Sequence, residues 1–363
     1  MKRTPLYSAH VAAGGRLVDF AGWEMPIQYS GVVDEYHAVR RAAGLFDVSH
    51  MGRLVVKGSG ALAFLQRVTT NDAGRLDVLD SQYSMVCNPG GGIKDDIFVY
   101  RTQPQEYLLC VNASNREKIL NALQEHAKEE AAVAIDDQSA AVAQVALQGP
   151  ASRGILLQFG VAGVESLRPR RGLYAEVDGC RWLVTRTGYT GEVGYEMYGP
   201  SQAAPSLWDR LLKIGAPAGL KPAGLGSRDL LRLDMGFLLY GNDIGEDTTP
   251  IEAGSEWVVA FNKTDFVGRP ALQMQRDRGV SRRLIAFELL EKAVPRHGCG
   301  IRSGEAPIGE VTSGNLSPLL QKGVGLGYVS PAHAGVGCRV DVDIRGKSVP
   351  AVVVKPPFYK RRV

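Results

Sequence analysis

Residues 82–102 read "QYSMVCNPGGGIKDDIFVYRT", two apolar-rich runs on either side of a proline and three consecutive glycines. Tyr, Val, Ile and Phe suit a pleated surface and Pro-Gly-Gly-Gly interrupts the chain, so the stretch predicts a β-hairpin closed by a glycine-rich loop, "PGGGIKD". Strands joined this tightly run antiparallel. The stretch also sets two adjacent carboxylates, Asp95 and Asp96, at the mouth of the second strand. Side chains alternate across a strand, so these two point to opposite faces and cannot serve one ligand as a dyad. On residues alone two readings stand. One is a single carboxylate beside a loop that lets a ligand approach, ready to hydrogen-bond or accept a proton. The other is a polar turn before an edge strand.

The flanking segments extend the pattern. "LVVKG" from 54 reads as a strand and "GALAFLQRVTT" has apolar residues at helical spacing. "EYLLCVNAS" (106–114) is a further strand. "NREKILNALQEHAKEE" (115–130) is an amphipathic helix with Asn115 or Ser114 as N-cap and Ile119, Leu120 and Leu123 on its buried face. This order predicts an α+β unit, an antiparallel sheet with helices on one face. A similar set recurs in "LYAEVDGCRWLVTRTGYTGEVGYEMYG" (173–199) and the helical "PSQAAPSLWDRLLKIG" (200–215), a rhythm of two related α+β units. From 282 the chain turns to short β-rich runs, "RRLIAFELL", "PIGEVTSG", "KGVGLGYVS" and "CRVDVDIRG", separated by Gly, Pro and Ser. These predict a small closed β-domain.

Composition excludes several classes. The 363 residues are 45% hydrophobic and 22% charged, enough for two or three domains with real cores. A net charge of +4 is too mild for a dedicated nucleic-acid binder, and basic residues cluster only in "RPRR" (168–171) and "KRR" (360–362). An anionic small molecule or an acidic partner suits this balance. The five cysteines, Cys87, Cys110, Cys180, Cys299 and Cys338, show neither paired nor metal-ligand spacing, so reduced thiols and no metal are expected. The first twenty residues lack the apolar core of a signal peptide, and no run approaches the roughly 18 residues of a membrane span. A soluble, cytoplasmic protein is the expectation.

Four motifs invite chemical readings. "TRTGYTGEVGYEMY" (185–198) sets glycines among aromatic and acidic residues, either flat surfaces for a planar ring with Glu196 accepting at its edge, or an ordinary hairpin loop. "GLGSRDLLRLDMGFLLYGNDI" (224–244) opens a helix with Arg228 and Asp229 in its first turn. Arg228 could fork onto a carboxylate or pair with Asp229 or Asp234. "DVSHMG" (47–52) gathers Asp47, Ser49 and His50, yet the chain has no G-x-S-x-G elbow, which argues against a hydrolase. "RGKS" (345–348) and "GVGLG" (323–327) lack the glycine spacing and helical context of nucleotide loops, so no bound nucleotide is expected.

Taken in order, "RTPLYSAHVAAGGRLVDFAGWEMPIQY", "GLFDVSHMGR", "GGGIKDD", "RTGYTGEVGYE", "AGLGSRDLLRLDMGFLLYGNDI" and "GEVTSGNLSPLL" resemble the T-protein family of glycine cleavage systems, aminomethyltransferases, over essentially the whole chain. The resemblance implies a cloverleaf: two interleaved α+β folate-binding subdomains over 1–275, one centred on about 55–140, and a C-terminal β-barrel over 276–363. It implies tetrahydrofolate as co-substrate and the lipoylated H protein as donor of the aminomethyl group. The products would be 5,10-methylenetetrahydrofolate, ammonia and dihydrolipoyl H protein, with P and L proteins indirect partners and the chain a monomer.

Residue by residue, the second aspartate of the family's pair falls on Asp96, which would face the pterin N5/N10 edge as the catalytic group. Glu196 would meet the pterin's amino side, and Arg228 a glutamyl carboxylate or pterin oxygen. Tyr83, Asn112 and Tyr189 match positions that line the pocket. An acidic acceptor and an arginine suit a donor-rich ring with an anionic tail. Two positions depart from the pattern: Val193 where an acid is usual, and Lys94 where an apolar residue is common, close enough to the aspartates to alter their charge or meet the partner. A folate-dependent demethylase is the nearest alternative. A sarcosine-type oxidising enzyme would need a fused flavin domain that this length leaves no room for. A non-enzymatic folate protein of iron–sulfur assembly would carry a cysteine where Val324 stands.

Overall fold

The structure is a computed structural model that describes residues 1–128, 130 and 132–360. Glu129 of the predicted 115–130 helix, and Arg361 and Arg362 of the basic run, lie outside the described residues. The chain divides into two compact units, Met1–Val68 with Ala73–Ser84 and Ile97–Asp229, and Thr69–Asp72 with Met85–Asp96 and Leu230–Val363.

A six-stranded sheet organises the first unit, in the order Gly172–Val177, Cys180–Thr185, Gly194–Pro200, Val142–Gln148, Ala43–Asp47 and Leu220–Pro222. All neighbours are antiparallel except Leu220–Pro222, which runs parallel to Ala43–Asp47. That parallel edge departs from the purely antiparallel expectation. Its connection is long enough for a crossover, because helix Ala204–Gly215 lies in it. Leu207, Trp208 and Leu211 of this helix fall at helical spacing on one face and bury against Ile155, Leu156 and Phe159 of helix Ser152–Phe159 and against Leu147, Trp182 and Met197 of the sheet.

The hairpin read at 82–102 exists as strands Ser81–Cys87 and Ile93–Gln103, neighbours in a five-stranded sheet continued by Glu106–Val111, Gly52–Lys57 and Ala134–Asp137. The second strand starts at Ile93, so the loop is shorter than predicted and both aspartates lie inside the strand. Helix Ala61–Val68 buries Ala61, Phe64, Leu65 and Val68, and helix Arg116–Ala127 buries Ile119 and Leu123. Leu120 is only half-buried. Asn115 takes the N-cap position of the latter helix without a side-chain cap bond.

In the second unit, strands Arg283–Leu289, Lys322–Val329, Ala306–Ser317, Gly300–Ser303, Arg339–Ile344 and Lys347–Val354 form a closed barrel, sealed by pairing of the last with the first. Alternate residues fill it: Ile285, Phe287, Leu289, Val340, Val342, Val349, Ala351 and Val353. The predicted closed β-domain is therefore present. Beside it, Arg232 donates to Asp243 Oδ2 at 2.8 Å and to Ser313 Oγ at 2.8 Å, while Thr312 donates to Asp243 Oδ1 at 2.5 Å. The two charged side chains are 2% and 0% exposed. Removing one partner strands a buried charge, so Asp243→Ala should lower the unfolding free energy in urea by about 3–5 kcal/mol. A loss below about 1 kcal/mol would show that the pair does not secure this unit.

Candidate active site

Glu196 lies on strand Gly194–Pro200, 8% exposed. A carboxylate this buried needs donors from the protein. Gln144 Nε2 donates to its Oε1 at 3.1 Å, and Thr187 Oγ1 and Tyr100 OH donate to Oε2 at 2.5 and 3.3 Å. Tyr198 OH, two residues on and therefore on the same strand face, donates to Tyr100 OH at 2.9 Å and accepts from Gln144 Nε2 at 3.0 Å. Tyr100 comes from the five-stranded sheet and the others from the six-stranded sheet or its loop, so the network fastens the two sheets of the first unit together. Burial, with the nearby Glu196 carboxylate adding, holds both tyrosine pKa values well above the ordinary range, so both remain donors. Oε1 takes a single donor among the described residues and keeps capacity for another.

An aromatic row runs out from this cluster. Tyr198 and Tyr100 rings lie 5.3 Å apart, Tyr100 and Phe98 5.8 Å, and Phe98 and Tyr83 5.9 Å. Along strand Ile93–Gln103, Ile93, Asp95, Ile97 and Val99 are buried, whereas Lys94, Asp96 and Phe98 alternate with them on the more open face. Asp95 is 0% exposed and Asp96 half-buried, so the split inferred from the pleat is present, with Asp96 on the face of Phe98 and Tyr100. Asn112 follows strand Glu106–Val111, half-buried at the start of the turn Ala113–Asn115.

Arg228 is the fourth residue of helix Leu225–Asp234. Its guanidinium carbon stands 4.8 Å from the centroid of the Tyr189 ring, close enough for a cation–π contact. Its Nη1 is buried with no hydrogen-bond partner among the described residues. Gly224 lets the helix start pack closely on strand Trp23–Gln28: a Cβ at Gly224 would lie 2.5 Å from Ile27 backbone atoms.

The glycine loops are filled by the protein's own groups. A Cβ at Gly188 or Gly194 would meet the Gln148 amide at 2.0 and 2.3 Å, and Gln148 bridges the loop through Thr187 O and Thr190 Oγ1. A Cβ at Gly92 would meet Glu246 O at 1.9 Å, so backbone from the same unit, rather than a ligand, approaches that glycine. Val193 packs against the core and its carbonyl accepts from Gly149 N and Ser152 Oγ, while the neighbouring Glu192 pairs with Arg40 at 2.9 Å.

The hydrolase reading fails on geometry. Asp47 accepts from His10 Nε2 at 2.8 Å and from Thr4 Oγ1 at 2.6 Å, leaving His50 without it, and Ser49 Oγ donates to Gln144 O. Among the described residues no cluster of His, Cys, Asp and Glu is placed to hold a metal, and no helix is long and apolar enough to cross a membrane. Cys87 and Cys110 are buried free thiols, pushed up to about 12 chiefly by burial.

Two family descriptions account for the chain: the GCVT N-terminal domain matches residues 6–263, and the glycine cleavage T-protein C-terminal barrel domain matches 282–360. The chain belongs to the glycine cleavage T-protein family. An aminomethyltransferase of Desulfitobacterium hafniense is 44% identical over 362 residues, covering 100% of this chain and 99% of the relative. One of Bacillus mycoides is 46% identical over 365 residues, covering 99% of each. The crystal structure of the glycine cleavage system aminomethyltransferase T from Bartonella henselae superposes with a TM-score of 0.93 at 35% identity, over 99% of both chains. The α+β region with its C-terminal barrel is thus the T-protein fold.

Within that fold, Gln144, Tyr100, Thr187 and Tyr198 are the residues that motif reading passed over. Strand periodicity alone could have flagged Tyr198 beside Glu196, and Tyr100 beyond Asp96 and Phe98. Nothing in the sequence marks Gln144.

His50 gives this T-protein a distinct acid response. It is buried, and burial, with Arg228 and Arg53 adding against the pull of Asp47, pushes its pKa down to about 3 from the ordinary 6.5. The unfolded chain takes up a proton that the folded one refuses, so stability is full above about pH 6.5 and falls as pH drops toward 3. Between pH 7 and pH 5 this group alone should remove about 2 kcal/mol. Urea titrations at both pH values should show a smaller loss in His50→Leu than in the wild type. Equal losses would mean that His50 does not carry the effect.

Proposed function

We propose that this T-protein binds tetrahydrofolate between Glu196 and Arg228 and transfers to it the methylene carbon of the aminomethyl group carried on the lipoyl arm of the H protein. The chain is a folate-dependent aminomethyltransferase of the glycine cleavage system. In the reaction the methylene carbon leaves sulfur and nitrogen and bonds to N5 and N10 of the folate. Ammonia and the dihydrolipoyl arm depart, and 5,10-methylenetetrahydrofolate forms.

The observation that carries the residue assignment is a buried acceptor with spare capacity together with a buried guanidinium nitrogen that has no hydrogen-bond partner among the described residues. Glu196 Oε1 has room for one more donor, as a pterin amino group would supply. Arg228 Nη1 is buried and unbonded, and a glutamyl carboxylate or pterin oxygen would satisfy it. Tyr189 beneath Arg228 and Tyr83 beside Phe98 supply aromatic walls, and Asn112 a polar edge. The family pattern assigns Asp96 to the N5/N10 edge, where it would orient the amines and accept the proton released as N5 attacks. Transfer needs the carbon near N5 in a site closed to water.

In this reading the folate-handling region spans 1–275 and the barrel domain 276–363. The partners are the lipoylated H protein directly and P and L proteins indirectly, the chain acts as a cytoplasmic monomer, and no metal or bound nucleotide takes part.

The test separates binding from chemistry. Asp96→Asn should bind tetrahydrofolate within a few-fold of the wild type while ammonia release from aminomethylated H protein falls about 10²–10⁴-fold. Turnover that survives while binding fails would make Asp96 a binding residue only. Demethylation of a free methylated amine without H protein would favour the demethylase alternative. Arg228→Met should weaken tetrahydrofolate binding by about 10–100-fold, read by calorimetry, and unchanged affinity would remove Arg228 from the site.

A further inference from the structure

A depression of about 350 Å³ lies in the first unit, lined by Gly163, Ser166, Leu167, Arg168, Arg171 and Leu173, none of them a residue of the candidate active site. That volume suits a small molecule. The "RPRR" run (168–171) builds its charged side. Proline fixes φ near about −65° at Pro169, Arg170 stands at φ 66°, and Arg171 N donates to Arg168 O at 3.1 Å. Together these make a type II turn, which brings its first and fourth residues, Arg168 and Arg171, close together. The third place in such a turn usually belongs to glycine, so an arginine held there at positive φ is local strain that the fold retains.

The rest of the wall removes groups that would repel an anion. Gly163 O accepts from Ser166 N at 3.3 Å and from Ser166 Oγ at 3.2 Å, and Leu167 O accepts from Arg186 Nη1 at 2.8 Å. No lining residue is acidic. Asp80 pairs with Arg171 through Nη1 at 3.1 Å, and the exposed Arg168 guanidinium has no partner among the described residues. Leu167 is part of the buried core and Leu173 packs against it, which holds the apolar floor in place. Two guanidiniums over such a floor match an oxoanion with a short apolar body, because the planar fork fits carboxylate and phosphate oxygens two at a time.

We propose that this depression is a second small-molecule site of the chain, for a small organic carboxylate or phosphate. The anionic group bridges Arg168 and Arg171, and the apolar part lies on Leu167 and Leu173. The site is independent of the folate reading.

Calorimetric titrations of the full chain with inorganic phosphate and with glutarate, at constant ionic strength so that screening stays fixed, test the site. The wild type should bind at least one of them saturably with a Kd below about 1 mM, and the tighter of the two probes tells phosphate from carboxylate. Arg168→Gln should weaken that probe about tenfold or more, and Arg168→Lys, which keeps the charge without the fork, should fall between. Asp80→Asn, which frees Arg171 from its carboxylate, should tighten binding a few-fold, the opposite of what damage to the fold would do. Arg228→Met should bind the probe as the wild type does. A wild type that takes up neither probe at about 10 mM would overturn the proposal. So would unchanged affinity in a folded Arg168→Gln protein, or a loss in Arg228→Met in its place, which would put the anion at Arg228. Should Arg168→Gln not fold, Asp80→Asn decides: tighter binding supports the site, and unchanged or weaker binding removes Arg171 from it and overturns the proposal.

Discussion

A carboxylate at Glu196 that is almost fully out of water has to be solvated by the protein, and the first unit is arranged around that need. Gln144 from one strand, Thr187 from a loop and Tyr100 from the other sheet all turn their donors to it. Each is 9 to 96 residues away along the chain, so the carboxylate fixes the relative position of two sheets that local sequence cannot fix. Leaving such a group unpaired would cost several kcal/mol, comparable with the stability of a whole domain. The same network keeps the tyrosines protonated and, in the proposed function, presents a pre-set acceptor edge that reduces the ordering needed when the pterin binds.

How far the sequence discloses this depends on the range of the interaction. The hairpin over 82–102, the helix beginning near 116 and the closed barrel after 282 follow from turns, periodicity and alternation, all local signals. Alternation even separated Asp95 from Asp96 and assigned the buried member its face once the core side was known. Boundaries were less legible: strand Ile93–Gln103 reaches back to the last glycine because Ile93 is a buried core residue and its amide bonds Gly245 and Thr248 carbonyls in the same unit. The parallel Leu220–Pro222 edge escaped because three residues carry no periodic signal.

The glycines show the limit most sharply. Gly92 reads as part of a loop that lets a ligand approach, and Gly188 and Gly194 as part of a surface for a planar ring or an ordinary hairpin loop, yet each accommodates a nearby protein group, the Gln148 amide or the Glu246 carbonyl. A glycine states that something comes close, and only the tertiary structure says what. His50 is the converse case. In "DVSHMG" the missing elbow already argues against a nucleophile's machinery, and the structure agrees: its neighbour Asp47 is bonded to His10, thirty-seven residues back, and burial makes His50 a neutral imidazole. In the proposed function, fixed donors and acceptors around Glu196 and Arg228 suit a reaction whose chemistry lies in the folate amines and the thioaminal, with the protein orienting both.

Carbon tracing tests this account most directly. H protein loaded with a ¹³C-labelled aminomethyl group is mixed with the enzyme and tetrahydrofolate, and the product is followed by NMR in a single turnover. The account predicts the label in the methylene bridge between N5 and N10, with one ammonia released per labelled carbon and neither product without the enzyme. Label recovered as free formaldehyde, or left on the lipoyl arm while tetrahydrofolate is bound, would contradict it.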